Sequence, residues 1–333
     1  MSDLDIAVVI VTYRSAQLAI EGLRSVQKER ATEGLHIRAI VVDNASGDLP
    51  VIEQAIAEND WSSWVTPVLS PRNGGFAYGN NLGISRAYTE APPDYVYLLN
   101  PDAQVRPGAI DSLVRFLQTH PLVGIAGSSF ENADGSDWPI AFRFPTLLSE
   151  LDGGLQFGPL SRLLRAWVVP RHMSSKAPEQ VDWICGASML IRPAVLAALG
   201  GLDENYFLYF EETDFCNRAK QAGFDTWYVP ESRVIHIAGQ STKVTERSAG
   251  PKRLPAYWFE SRRRYFAVTF GIGRAMLIDI VALLANCLGL LKRMALGRSR
   301  SAVPHFIRDL VRYSVLWPRN RALPAARSGL TRG

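Results

Sequence analysis

Apolar residues in this chain come in short unbroken runs, separated by longer stretches in which they recur every three or four positions. Residues 6–12, 37–43, 64–69, 95–99 and 123–128 are runs of the first kind. Runs of this length are the mark of strands buried on both faces, as in parallel sheets covered by helices. After the first run, Ser15 stands where it can cap a helix whose apolar side carries Leu18, Leu23 and Val26. Further helices are expected over about 50–58, after Asn73, and near 107–120 with Pro107 in its first turn. Strands alternating with helices at these distances predict βαβ units, hence an α/β fold on a mostly parallel sheet with right-handed crossovers.

The run at 95–99 stops on Asn100-Pro-Asp102. A core helix segment of the same length shares its pattern, but Pro92-Pro-Asp94 before it and Pro101 after it favour a strand. Ligands of open α/β sheets bind beyond the carboxyl ends of strands, which puts Asn100 and Asp102 at a site mouth. Oxygen ligands there suit a hard divalent ion holding a diphosphate; a plain Pro-Asp turn before a helix fits the same residues. The stretch Asn73-Gly-Gly-Phe-Ala-Tyr-Gly-Asn-Asn81 opens a helix on paired glycines. Its first N–H groups suit an anion, or the glycines serve a tight turn and close packing.

Residues 131–180 break the rhythm and read as a partly helical flap over the site. Regular structure resumes over 181–192, and a short helix from Pro193 ends at Gly200-Gly201. Phe207-Leu-Tyr-Phe-Glu-Glu-Thr-Asp214 then brings Glu211, Glu212 and Asp214 to a helix start, expected near Thr213, with the helix running to Ala222. Acids there complement a helix dipole; the aromatic run beside them would also make their charge costly without a use. Asp214 lies four positions before Arg218, a pairing distance on a helix. Short strands are expected over 225–229 and 234–237, with His236 either a ligand or a satisfied core residue, followed by Gly239-Gln-Ser-Thr242.

Beyond that, a helix over 257–270 carries Arg262-Arg-Arg264, read as a solvated face. Residues 275–291 are strongly apolar but short for a membrane span, and Asp279 interrupts them. Asp279, Ala282, Asn286, Gly289 and Arg293 form one small or polar stripe, which suits an interfacial or core-packed helix.

Composition narrows the classes. With 47% hydrophobic and 20% charged residues over 333 positions, the chain can bury a large core and is not disordered. The net charge of +4 is unevenly placed: from Lys292 to Arg332 basic residues face the single acid Asp309, which suggests a polyanionic neighbour. Cys185, Cys216 and Cys287 match no metal or redox spacing, and the acidic start running straight into a strand looks unlike a secretory leader, so a cytoplasmic setting is expected. No Gly-x-Gly-x-x-Gly turn follows the first strand, which argues against a nicotinamide oxidoreductase, and no nucleic-acid recognition motif accompanies the basic tail.

Taken in order, Val9-Ile-Val-Thr-Tyr13, Val41-Val-Asp-Asn-Ala-Ser46, Asn73 to Asn81, Leu98-Leu-Asn-Pro-Asp102, Trp183-Ile-Cys-Gly-Ala187, Gly201-Leu-Asp203, Phe207-Leu-Tyr-Phe-Glu211, Asp214 to Arg218 and His236 resemble the family 2 glycosyltransferases of GT-A fold, in particular their bacterial rhamnosyltransferase-like branch. The resemblance implies a GT-A (Rossmann-like) domain over 1–250, with a donor half 1–128 and an acceptor half 129–250, and a C-terminal helical, basic, possible membrane-associating region over 251–333. It implies donor contacts from Thr12, Tyr13, Asp43, Asn44, Asn73, Gly74, Gly75, Asn80, Asn81 and Asn100, with Asp43 near the base and ribose. It implies a divalent metal, Mg²⁺ or Mn²⁺, at Asp102 and His236, where Asn-Pro-Asp replaces the family's Asp-x-Asp. Trp183, Gly186 and Ala187 would line the acceptor side, with room left by the small residues.

Glu211-Glu212 corresponds to the family's Glu-Asp pair, whose second acid is the general base, so Glu212 is expected to act, with Glu211 and Asp214 beside it. The implied reaction is inverting transfer of a sugar, L-rhamnose from dTDP-rhamnose or a sugar from a UDP donor. The implied acceptor is a saccharide or polyprenyl-diphosphate-linked saccharide in cell-surface polysaccharide synthesis. The enzyme is expected on the inner face of the cytoplasmic membrane, with a homodimer as a further possibility and no nucleic-acid partner. A catalytically silent sugar-nucleotide-binding scaffold of the same fold is the alternative of another class; it would leave the donor intact.

Overall fold

In a computed structural model of the chain, which describes residues 3–173, 176–237, 252–297, 303–327 and 329, the unbroken apolar runs become neighbouring strands. They are β1 (Leu4–Thr12), β2 (Leu35–Asp43), β3 (Val65–Leu69), β4 (Tyr95–Leu99), the short β5 (Ala103–Val105) and β6 (Val123–Glu131). Between them run α1 (Ala16–Glu29), α2 (Leu49–Glu58), α3 (Gly75–Glu90) and α4 (Ala109–Thr119). Both faces of β1 are dry: Ile6, Val8 and Ile10 pack with Leu23 and Val26 of α1, while Val9 packs with Ala77 and Ile84 of α3. Burial on both sides is why the run shows no polar alternation.

The middle of the chain contributes β7 (Asp137–Trp138), β8 (Ile140–Phe142), α5 (Leu147–Leu155), α6 (Gly158–Leu163), β9 (Pro170–His172) and β10 (Glu179–Val181). Then follow β11 (Ser188–Ile191), α7 (Pro193–Leu199), α8 (Glu211–Gln221), β12 (Asp225–His236), α9 (Ala256–Phe270), α10 (Ile272–Ala295) and α11 (Phe306–Tyr313). The main sheet runs β10-β12-β6-β11-β4-β1-β2-β3, with β5 on β12, β7 on β6, and β8-β9 a separate pair. β3, β2, β1 and β4 are mutually parallel, β12 is parallel to β6, and β11 is antiparallel to both β4 and β6. The chain leaves β1 toward β2 and β3, then returns to place β4 on the other side of β1. This reversal makes a crevice beyond the carboxyl ends of β1, β2 and β4, where α/β sheets bind ligands.

Several local expectations change. Ser15 sits at the start of α1 without capping it; its backbone N–H donates instead to Asp48. Pro107 precedes α4, whose cap position is Gly108 at φ 78°, a left-handed angle that suits glycine. The two late strands are one, β12, with an irregularity between Val229 and Arg233. The segment 131–180 is less a free flap than two small strand pairs and α5, which lies against α10.

The arginines of α9 are not a solvated face. Arg262 and Arg264 are buried: Arg262 bridges Glu150 of α5 and Asp279 of α10, and Arg264 grips Asp203 and the carbonyl of Pro324. Charges this deep are tolerated because each is paired and hydrogen-bonded. The small and polar stripe of α10 faces inward, where Gly154 and Gly289 approach so closely that a Cβ on Gly289 would come within 2.1 Å of the Gly154 carbonyl oxygen. The leucines on the opposite side of α10 face outward.

Candidate active site

At the end of β1 and β2, Thr12 stands opposite Asp43. Thr12 is fully buried and donates its hydroxyl to Asp48 at 2.6 Å, the same carboxylate oxygen that receives the Ser15 N–H. Asp48 is a site residue that sequence reading missed; its place just before Leu49-Pro50, a helix start, is the one local signal it carries. Asp43 takes over the end of α2 that Asp48 does not cap. Its Oδ1 accepts from the N–H and hydroxyl of Ser46, and its Oδ2 from the N–H groups of Gly47 and Leu49. Burial alone would raise its carboxyl, but these donors outweigh it and hold Asp43 below the usual carboxylate range. Four donors fill the lone pairs of an ionised carboxylate. Asp43 therefore shapes the loop that faces the crevice, and a ligand contact would have to displace one of these bonds. Tyr13 is half-buried beside it, with the Arg14 guanidinium 5.3 Å from its ring.

The glycine-rich start of α3 is closed by the protein itself, which corrects the expectation of an open anion cradle. The Gly74 N–H donates to Asn44 Oδ1, the Gly75 N–H to Asn73 Oδ1, and the Phe76 N–H to the Phe207 carbonyl. Asn44 in turn donates to Asn73 Oδ1 and the Gly75 carbonyl. Gly75 is required here: its φ is +83°, and a Cβ would lie 1.8 Å from the Phe207 oxygen. Further along α3, Asn80 is buried and donates to the Phe76 carbonyl. Asn81 spends its amide on Leu202 and Glu204, so it clasps the 201–207 loop and has no donor left for a sugar nucleotide.

β4 is followed by half-exposed Asn100, whose N–H donates to the Ala187 carbonyl. Asp102 is buried beside His236 because β5, immediately after it, pairs antiparallel with the end of β12. Asp102 Oδ1 and His236 Nε2 are 3.4 Å apart. The His236 ring lies against Trp138 and Phe130, and its Nδ1 has no partner among the described residues. The motif at Gly239 to Thr242 lies outside the described residues.

α8 begins at Glu211, two residues earlier than expected, because Tyr209 and Phe210 both adopt left-handed φ of 69°. For bulky residues this conformation is strained and needs outside support. α9 supplies it: Tyr257 stacks on Tyr209, Trp258 and Tyr265 contact Phe210, and Ser261 donates to the Leu208 carbonyl. Glu211 is buried and Glu212 half-buried, and each leaves its Oε2 shielded from solvent and without a partner among the described residues.

Burial raises both carboxyls. Glu212 is pushed up to about 7, held back by its own N–H and that of Gly186. Glu211 is raised well above its ordinary value, first by burial and then by the charge of Glu212. The Cys185 thiol is driven up to about 12, first by burial and then by the charge of Glu212, with smaller effects from Asp102 and Glu211. Asp214, grouped with them by sequence, points away: it is buried against Arg218 at 2.7 Å and within reach of the Tyr206 hydroxyl, a structural ion pair.

The acceptor-side expectation holds for neither small residue. Ala187 is buried in the core, and Gly186 packs under Phe76, where a Cβ would come within 2.7 Å of the ring. Trp183 stacks on Phe142 with centroids 4.1 Å apart and donates to the Arg143 carbonyl, leaving it half-exposed.

A family model, "Glycosyltransferase like family 2", matches residues 4–250. Over 154 residues the chain is 34% identical to an N-acetylglucosaminyl-diphospho-decaprenol L-rhamnosyltransferase of Mycobacterium tuberculosis, covering 45% of this chain and 48% of that protein. It is 26% identical over 167 residues to the rhamnosyltransferase WbbL of Escherichia coli, covering 49% and 61%. The matched stretches thus span about half of one of these relatives and three fifths of the other. Among solved structures, a mannosyltransferase of Pyrobaculum calidifontis, in complex with GDP-Man and Mn²⁺, superimposes with a TM-score of 0.58 at 14% identity, covering 94% of this chain and 87% of that one. This likeness shows the fold, a mixed, mostly parallel GT-A sheet with C-terminal helices α9–α11.

Proposed function

The chain belongs to glycosyltransferase family 2 and is a glycosyltransferase, and from that premise we propose that it transfers L-rhamnose from dTDP-rhamnose, with inversion, to a saccharide carried on a polyprenyl diphosphate. The observation that carries the reading is the Glu211-Glu212 pair in the first turn of α8, each with a shielded oxygen that has no partner among the described residues. The named activities of the two rhamnosyltransferase relatives support the donor sugar, and the decaprenol in one name supports the carrier.

In this reading Glu212 takes the proton of the acceptor hydroxyl as its oxygen attacks the anomeric carbon. The bond to the nucleoside diphosphate breaks on the opposite side, and the anomeric centre inverts. A carboxylate raised to about 7 suits this role, since a general base works best with its pKa near the working pH. Burial and the charge of its neighbour raise Glu211 as well, so the two carboxyls disfavour carrying two negative charges at once. Tyr13, the Asp43-bound loop and Asn100 border the donor crevice, and Trp183 borders the acceptor side.

Asp102 and His236 fit a divalent ion. Their facing atoms are spaced as neighbouring ligands of one centre, and among the described residues no cluster of three or more His, Cys, Asp or Glu side chains forms a complete cage. Asp102 and His236 would hold such an ion, which would need phosphate and water for its remaining ligands, as Mg²⁺ commonly does, while the imidazole nitrogen would also suit Mn²⁺. When bound it stabilises the charge that develops on the leaving diphosphate.

A panel of sugar nucleotides, assayed for nucleotide diphosphate release with and without a polyprenyl-linked acceptor, tests this. Release dependent on dTDP-rhamnose, on the acceptor and on Mg²⁺ or Mn²⁺ is the expected outcome. Equal rates in excess chelator would remove the ion from the mechanism, and intact donors throughout would make the chain a binding scaffold.

A further inference from the structure

The outward side of α10 is a continuous greasy stripe. Leu277, Ile280, Leu284, Leu288 and Leu291 are each 42 to 61% exposed. They extend over about 21 Å of helix axis at 1.5 Å per residue. Isolated exposed leucines need no explanation, but a ridge of five does. The inward side of the same helix is committed to the protein through the Asp279–Arg262 ion pair and the Gly289–Gly154 contact. A helix so attached along one side cannot be ringed by lipid, although its 24 residues and apolar content alone would allow it to span a membrane. It can lie flat at an interface, half in and half on its own domain.

The surroundings of the stripe choose its occupant. Arg274 stands exposed near its beginning, while at its end Lys292 and Arg293 are half-buried and turned to the protein, Arg293 donating to Gln156. Lys292 donates to the Leu155 carbonyl, which brings up the segment after α5, with exposed Phe157, Arg162, Leu163 and Arg165. Neither residues 153–168 nor residues 280–297 contain an aspartate or glutamate. Two copies packed stripe to stripe would set cations against cations, whether parallel or antiparallel, because exposed Arg274 stands at one end and exposed Arg162 and Arg165, on the segment that Lys292 brings up, extend the other. An anionic sheet with an apolar interior satisfies the leucines and the cations together.

We infer that the α10 stripe, extended by the Phe157–Arg165 segment, is a monotopic docking face for an anionic lipid bilayer, with α10 lying in the plane of the interface. This stands on surface features and does not depend on the identity of donor or acceptor. It also gives α9 two attachments: its first turn braces the Glu211-Glu212 loop, and Arg262 one turn later holds the docked helix. A carrier-bound acceptor would meet the base within one helix of the membrane surface.

The test is sedimentation of the full chain with phosphatidylglycerol-containing vesicles, and with pure phosphatidylcholine vesicles, at low and high salt. Binding to the anionic vesicles that weakens with salt is expected, with roughly tenfold or greater loss in Leu284→Glu/Leu288→Glu and a severalfold loss in Arg162→Glu/Arg165→Glu. Both pairs are exposed, and donor turnover with a soluble acceptor should match the unmodified chain, which separates failure to dock from failure to transfer. The arginine pair keeps the proposal testable should the leucine pair not fold. Binding unchanged in either variant, or no binding to any vesicle, would overturn it. So would resistance to alkaline carbonate extraction, the mark of a spanning helix, or a dimer that the leucine variant converts to monomer without affecting vesicle binding.

Discussion

The two sides of the crevice treat their carboxylates in opposite ways. Asp43, at the end of β2, is buried but meets four donors, and its carboxyl is held below the usual range. Glu211 and Glu212, on the other side, are also shielded from water, yet each keeps an oxygen without a partner among the described residues, and both carboxyls are raised. Burial alone does not decide what an acid does. A buried carboxylate with every lone pair filled is part of the architecture, while one left unfilled has a high proton affinity available for chemistry.

The largest effect should come from removing the unfilled group. Glu212→Gln keeps its shape but cannot accept a proton, so turnover should fall roughly 10²–10⁴-fold while nucleotide affinity stays as it was. Steady-state kinetics beside a direct nucleotide titration separate the two. Loss in Glu211→Gln with near-normal turnover in Glu212→Gln would transfer the role to Glu211.

Asp43→Ala should do the reverse. Losing the acceptor for four donors should cost about 1–3 kcal/mol of stability and loosen the loop, weakening free nucleotide and donor together. Turnover at saturating donor should change little. Calorimetric titration with the nucleoside diphosphate checks this, and an unchanged dissociation constant would place the nucleotide elsewhere.

The smallest effect is the difference in pH dependence, and it tests the comparison most directly. Glu212 binds its proton more tightly folded than unfolded, so its contribution to stability is greatest below its ordinary 4.5 and is lost as the pH rises toward about 7. Asp43 is the opposite case: its contribution is present above its ordinary 3.8 and is lost as the pH falls through its lowered folded value. Denaturant titrations across this range should therefore show Glu212→Gln flattening the loss toward neutral pH, and Asp43→Asn flattening the loss in acid. Activity should fall below about pH 7 as Glu212 takes up its proton.

Much of the site was legible from local pattern. An unbroken apolar run ending on Asn100-Pro-Asp102 predicts a doubly covered strand with its carboxyl end at a crevice, because the fold places that end there whatever the distant sequence. The spacing of Asp214 and Arg218 likewise predicts their ion pair, since a helix brings residues four apart together. The periodic stripe on α10 was equally visible. Its direction was not: a helix has two sides, and the small, polar one turned inward because Gly154 and Arg262 offer it contact and charge.

By itself, then, the sequence determined strands β1 to β4 and β6 and the helices between them, because each depends on periodicity or on neighbours within one turn; the small strands and helices of 131–180, the single long β12 and α11 it did not give. Only the tertiary structure decided which polar groups are already satisfied. Arg262 finds Glu150 across 112 residues, Asn81 finds Leu202 across 121, and the open-looking start of α3 is closed by the carbonyl of Phe207. Hydrogen bonds and ion pairs are short-ranged in space but not in sequence. Whether a carboxylate, an amide or a helix end is free for a ligand is therefore settled by which distant segment arrives beside it.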